Sequence, residues 1–142
     1  IGMQSHIGLD YPNLKDYEES IEAFAATGCK VMITELDMSA LPTINRTANV
    51  ADTVAFQQML NPYPVELPDS VSSVWNARMQ QVFDIYTKHS DKISRVTAWG
   101  VQDGNSWKND WPMKGRHDYP LLFTRGGEAK PFLQKYYDIQ NK

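Results

Sequence analysis

Val31-Met32-Ile33-Thr34-Glu35-Leu36-Asp37 begins as an apolar, strand-forming run and ends in two carboxylates. A strand buried in a parallel sheet carries apolar side chains on both faces, because neither face meets water. A carboxylate at the mouth of such a strand is therefore either costly or useful. Ligands of parallel α/β folds bind beyond the C-terminal ends of the strands, which makes Glu35 a candidate catalytic carboxylate. On the residues alone, a structural ion pair at a strand end is an equal alternative.

Upstream of this run, Asn13 is placed to cap a helix. Leu14, Tyr17, Ile21, Phe24 and Ala25 then recur at helical spacing, while Lys15, Glu18, Glu19 and Glu22 take the opposite face. Gly28 supplies the stop. Residues 1–7 predict a short strand on which Gln4 and His6, two apart, point to one side. Strand, helix and strand in this order have the length a parallel crossover needs. The lone Cys29 excludes an intrachain disulfide and is expected to be a small buried thiol.

Downstream, the pattern dissolves from Met38 to about Ser70, where Asn and Pro recur, although 50–60 has the makings of a helical turn or two. A loop this long in a compact domain is usually functional or disordered, and this one leaves from the carboxylate end of the central strand. Asn45-Arg46-Thr47 fits a glycosylation sequon, a cheap match. A second helix begins near Ser70, with Val71, Val74, Trp75, Arg78, Met79, Val82, Phe83 and Tyr86 as its core stripe. His89 near its end is expected to meet the helix dipole. Ser94 to Val101 is a third strand, followed by an irregular loop rich in Trp, Asn and Gly. Pro120 to Phe123 docks the chain again, Gly126-Gly127 is a turn, and Pro131 opens a final helix. Its core face is expected to include Phe132, the stem of Lys135, Tyr136 and Ile139.

Three βα units with their polar residues at strand C-terminal ends predict a parallel α/β architecture. Three units cannot close a barrel, so the chain is either a small open sheet or part of a (β/α)8 barrel with open strand edges. Ile1 is no initiator, and the chain reads as beginning inside a longer protein. The composition, 42% hydrophobic and 22% charged, is that of a globular domain, and 142 residues suffice for one core. A formal charge of −3 gives no reason to expect nucleic acid or an anionic membrane as partner. No stretch approaches the roughly 20 apolar residues of a membrane span. Four Trp, seven Tyr and five Phe supply aromatic faces for a core or for sugars.

Three segments carry a resemblance. Gly2-Met3-Gln4-Ser5-His6, Ile33-Thr34-Glu35-Leu36-Asp37, and the run from Thr97 through Trp99-Gly100-Val101-Gln102-Asp103 to Trp107 resemble successive motifs of the family 10 glycoside hydrolases. Pro120-Leu121-Leu122-Phe123 and Lys130-Pro131 look like that family's closing segment. Those enzymes are endo-β-1,4-xylanases on a TIM (β/α)8 barrel, so the resemblance implies strands six to eight and no cofactor or metal. It covers essentially all of 1–142, which would be the C-terminal part of a single barrel domain. It places Glu35 on the nucleophile, and His6 and Asp37 on the network that orients it. It places Gln4, Trp99 and Trp107 beside the sugar at the cleavage point. Asn105 lies in the same loop, and Arg116 is offered as a further substrate contact.

Such a retaining mechanism needs two carboxyl groups about 5–5.5 Å apart, one attacking the anomeric carbon and one protonating the leaving oxygen. The family's acid/base is a second glutamate, after an asparagine at the end of strand four, and that segment is absent here. Glu18, Glu19, Glu22, Glu66 and Glu128 do not fit its place. Thr124 also departs from the family pattern, which usually has Asp there. The expected partners are therefore xylan or xylo-oligosaccharide and the N-terminal part of the same barrel. Location follows from the substrate alone: secreted, periplasmic or at the cell surface. The competing readings are a non-cleaving polysaccharide-binding protein and a related β-1,4-glucanase. A metal site of His6, Glu35 and Asp37 has suitable ligand types but no dedicated spacing motif.

Overall fold

The computed structural model of the chain describes residues 1–42 and 58–140. Its strands are β1 (Gly2–Met3), β2 (His6–Gly8), β3 (Val31–Ser39) and β4 (Ile93–Ala98). Its helices are α1 (Leu14–Ala25), α2 (Asp69–Lys88) and α3 (Pro131–Gln140), with a short 3-10 turn at Asp103–Asn105. β3 is the centre. β1 and β2 pair with it in succession along one side and β4 along the other, all parallel. The expected order of three βα units is therefore present. The sequon at 45–47 and most of the helical turn considered at 50–60 lie outside the described residues, although 58–60 is helical.

Each helix forms where its apolar spacing and end signals agree. The Asn13 side chain accepts from the Lys15 amide at 2.9 Å, which caps α1. α1 then buries Tyr17 and Ile21. α2 starts one residue before the expected Ser70, directly after Pro68, and buries Trp75, Met79, Val82, Ile85 and Tyr86. With Val31, Ile33, Leu36 and Met38 of β3 and Phe132 of α3, these residues form one core. Trp75 is its hub: 1% exposed, it donates from Nε1 to the Met38 carbonyl at 2.7 Å and meets Phe132 edge-on.

Several expectations are corrected. β3 does not stop at Asp37 but runs through Ser39, because β2 pairs with residues 37–39 and Met38 belongs to the core. The expected strand at 1–7 is two short pieces, broken at Gln4 and Ser5, where Ser5 takes a left-handed φ of 67°. β4 ends at Ala98, and Gly100 turns the chain away with φ 132°, pressed so close to Leu121 that a Cβ would clash. Cys29 is exposed, since it falls in the turn between α1 and β3. Val74 is 54% exposed at the margin of the α2 stripe. Lys135 is exposed, with its ammonium 3.6 Å from Asp84. His89 does end α2, but it is 3% exposed and its Nε2 lies 2.7 Å from Glu18, tying α2 to α1.

Trp75→Ala removes a large buried ring and leaves the Met38 carbonyl without its donor. It is expected to cost about 3–5 kcal/mol, read as a lowered denaturation midpoint at unchanged m-value. A loss under about 1 kcal/mol would show that Trp75 is not the hub of this core.

Candidate active site

The site depends on one extra residue in β3. Gly2 and Met3 face Met32 and Ile33, whereas His6, Ile7 and Gly8 face Asp37, Met38 and Ser39. Two residues, 4 and 5, thus stand opposite three, 34–36. On the other side, Ile33 and Leu36 face Val96 and Ala98, so both neighbours register the same surplus. A bulge shifts alternation by one and turns later side chains to the opposite face. Val31 and Ile33 before it, and Leu36 and Met38 after it, therefore share one core. Glu35 and Asp37 are left together on the other face.

There they flank His6. Its Nε2 lies 3.0 Å from Glu35 Oε2 and its Nδ1 lies 3.0 Å from Asp37 Oδ2. Gln4 Nε2 approaches Glu35 Oε1 at 3.5 Å. The break in the first strand gives Gln4 and His6 this common target, and it is held in place: the Glu35 and Asp37 amides donate to the Gln4 and Ser5 carbonyls. Ser5 Oγ meets the Tyr17 hydroxyl at 2.6 Å, which in turn meets Tyr86 at 2.8 Å. The Glu35 side chain is 23% exposed and the Asp37 side chain 0%, so one carboxylate is open to a ligand and the other is sealed behind it. Burial, and after it the negative charge of Asp37, raises the Tyr11 phenol above its ordinary value.

The loop after β4 closes the far side. Trp107 donates from Nε1 to Asp37 Oδ2 at 2.8 Å and meets His6 edge-on at 5.4 Å. Trp99 and Trp107 are 47% and 43% exposed, open faces beside Glu35's strand. Asn105 is exposed on the 3-10 turn. Arg116 does not join them. The residue is 4% exposed, and its guanidinium donates to the Leu60 and Trp111 carbonyls, with Asp118 at 3.6 Å, so it braces the loop from within. Its charge is needed to hold those carbonyls, and burial lowers its pKa from the ordinary value. Two residues went unnoticed in the sequence: Lys108, buried beside Asp37, and Trp111, 50% exposed and 5.6 Å from Trp107. Trp111 shares an aromatic-rich loop with Trp107, a signal open to the sequence, whereas nothing in the sequence marks Lys108.

The metal reading of His6, Glu35 and Asp37 loses its geometry, because the two carboxylates lie on opposite nitrogens of one imidazole. Among the described residues, the acid and histidine groups close enough to share an ion are Glu18, Glu22 and His89. Lys88 and Lys92 already neutralise that cluster, at 2.7 Å from Glu18 and 3.9 Å from Glu22.

Parallel βα units with polar and indole groups gathered at the strands' C-terminal ends define a section of a (β/α)8 barrel. The chain belongs to glycosyl hydrolase family 10, whose profile matches residues 1–139. It is 43% identical over 137 residues to endo-1,4-beta-xylanase A of Xylanibacter ruminicola, covering 95% of this chain and 37% of that protein. It is 34% identical over 131 residues to a thermostable celloxylanase of Thermoclostridium stercorarium, covering 92% of this chain and 30% of the relative. A solved endoxylanase from a sugarcane soil metagenome superposes with a TM-score of 0.83 at 38% identity, over 98% of this chain and 39% of that one. The chain thus spans between 30% and 39% of the length of these relatives.

A buried ion pair fastens the closing segment to the site loop. Lys130 Nζ lies 3.0 Å from Asp103 Oδ2, donates to the Tyr119 carbonyl at 2.7 Å and sits 3.8 Å over the Trp75 ring. Burial raises the Asp103 carboxyl and lowers Lys130 from 10.5 to about 8, against the pull of each partner. Below about pH 8 the lysine is charged in folded and unfolded chains alike. Between there and 10.5 only the unfolded chain keeps the proton, so the stability term from Lys130 rises with pH across that window. Denaturation midpoints at about pH 7 and about pH 10 should show this rise in the wild type and lose it in Lys130→Met. Equal pH slopes in the two proteins would contradict it.

Proposed function

We propose that the chain is the C-terminal part of a retaining endo-β-1,4-xylanase. In this reading Glu35 attacks the anomeric carbon of a β-1,4-linked xylose and forms a glycosyl-enzyme intermediate. The acid/base glutamate comes from the N-terminal strands of the same barrel, which also pair with the open edges of β1–β2 and β4. The observation that carries the reading is the setting of Glu35. It is a partly open carboxylate on a barrel strand, engaged on one oxygen by Gln4 and on the other by His6.

Each neighbour then has a task. His6 and Gln4 hold one oxygen each of the Glu35 carboxyl group and so orient it for attack. Asp37, sealed by Trp107, fixes the imidazole. Trp99 and Trp107 offer flat apolar faces with a polar N–H, suited to a sugar ring. Asn105 stands open on the same loop as a further sugar contact. Because the substrate is a polysaccharide, the working place is outside the cytoplasm: secreted, periplasmic or on the cell surface. The relative named a celloxylanase favours a second reading in which a related β-1,4-glucan is also cleaved.

Glu35→Gln, made in the polypeptide that carries the whole barrel, is expected to lower kcat on xylan by at least about 10³-fold while xylan binding persists. Hydrolysis at the wild-type rate would sink the nucleophile assignment and leave a binding protein as the better description. The 1–142 segment alone leaves apolar strand edges unburied, at roughly 25 cal/mol per Å². It is expected to self-associate, or to be rescued by the N-terminal strands added in trans. A monomer with a sharp cooperative melt would contradict the divided-barrel reading.

A further inference from the structure

Asp37 has one carboxylate oxygen that the His6–Trp107 arrangement does not use. Oδ2 receives both His6 Nδ1 and Trp107 Nε1, whereas Oδ1 is buried and accepts no hydrogen bond among the described residues. An ammonium stands beside it: Lys108 Nζ, 3.5 Å away, on a residue only 7% exposed. The same ammonium lies 4.7 Å over the Trp107 ring. The Lys108 amide donates to Ser106 Oγ at 3.1 Å, and Ser106 is itself buried, so the lysine is fixed at its backbone as well.

A proton count shows what that charge does. Each of the two 3.0 Å contacts of His6 needs one proton, so His6, Glu35 and Asp37 together hold two. Two carboxylates and one imidazole with two protons carry a net charge of minus one. The Lys108 ammonium brings the set to neutrality. Among the described residues Tyr11, from the loop after β2, also feels Asp37, and its phenol is neutral at working pH because burial and that negative charge raise its pKa. Asp10 and Asp118 act on Tyr11 after Asp37 and raise its pKa further.

We infer that Lys108 is a positioning residue for the reaction, acting through Asp37 and His6 to hold the charge of the Glu35 network and through its cation–π contact to hold Trp107. This rests on Glu35 being the nucleophile. An uncompensated buried charge is strongly disfavoured, so removing the lysine must make the set take up a proton more readily. The acid limb of kcat/KM then moves to higher pH, while a purely structural loss would lower the profile at every pH without moving the limb.

The test is the pH profile of kcat/KM for Lys108→Met, Lys108→Gln and Lys108→Arg in the polypeptide carrying the whole barrel, with Glu35→Gln alongside. In the two neutral variants the acid limb is expected to rise by about one pH unit or more, the shift an opposite charge within ~4–6 Å produces. Lys108→Arg is expected to keep the wild-type limb. A limb unmoved in a folded neutral variant, with Glu35→Gln inactive, overturns the Lys108 role alone. Activity surviving in Glu35→Gln overturns the nucleophile reading beneath it. If neither neutral variant folds, the His6 ring in the wild-type protein decides by nitrogen NMR. Read together with the carboxyl carbons of Glu35 and Asp37, a proton in each of the two His6 contacts, on the ring nitrogen or on the facing carboxyl, supports the count, and a contact without one overturns it.

Discussion

One surplus residue in β3 controls everything else in this chain. Without it, strict alternation would place Val31, Ile33, Glu35 and Asp37 on one face, and the carboxylates would enter the core. With it, Leu36 and Met38 rejoin the core of Val31 and Ile33, and both acids turn to the opposite face. The surplus is matched on the first strand by the break at Gln4–Ser5, whose left-handed serine is steadied by Tyr17 and Tyr86. Non-glycine residues rarely adopt such a φ, and where they do the surroundings usually fix them. The bulge and the break are two halves of one device that brings Gln4 and His6 onto Glu35.

The second requirement is a firm far wall. The segment after β4 has little regular structure, so its stiffness comes from buried polar groups. Asp118 accepts from Ser39 Oγ at 2.6 Å and from the Ala40 amide at 3.0 Å, linking the end of β3 to the closing segment. Arg116 and the Asp103–Lys130 pair do the same for the loop around them. Buried ion pairs add little net stability against apolar replacements, yet each one fixes a geometry. Here the geometry fixed is that of Trp107 and Lys108 against Asp37.

Much of this was legible beforehand. The helices, the parallel order and the core stripe follow from periodicity, and Glu35 follows from a charge interrupting an apolar strand. The reading faltered where a position's environment depends on distant residues. Cys29 is expected in the core, but it lies in the turn between α1 and β3 and is exposed among the described residues. Arg116 is offered as a substrate contact only from its place in the loop after Trp107, and the loop folds over it and claims its donors. Lys108 was passed over because a lysine after a tryptophan says nothing about the carboxylate it will meet.

The sequence by itself determined which residues are apolar and at what period, and so the βα order, the core and the motifs that mark family 10. Local chemistry suffices for these, since periodicity needs no knowledge of partners. Only the tertiary structure decided that Glu35 and Asp37 face the same histidine, that Asp37 is sealed while Glu35 stays open, and that Lys108 stands 3.5 Å from Asp37. Those facts rest on a register offset between strands and on a loop folding back from 70 residues away. No local pattern encodes either.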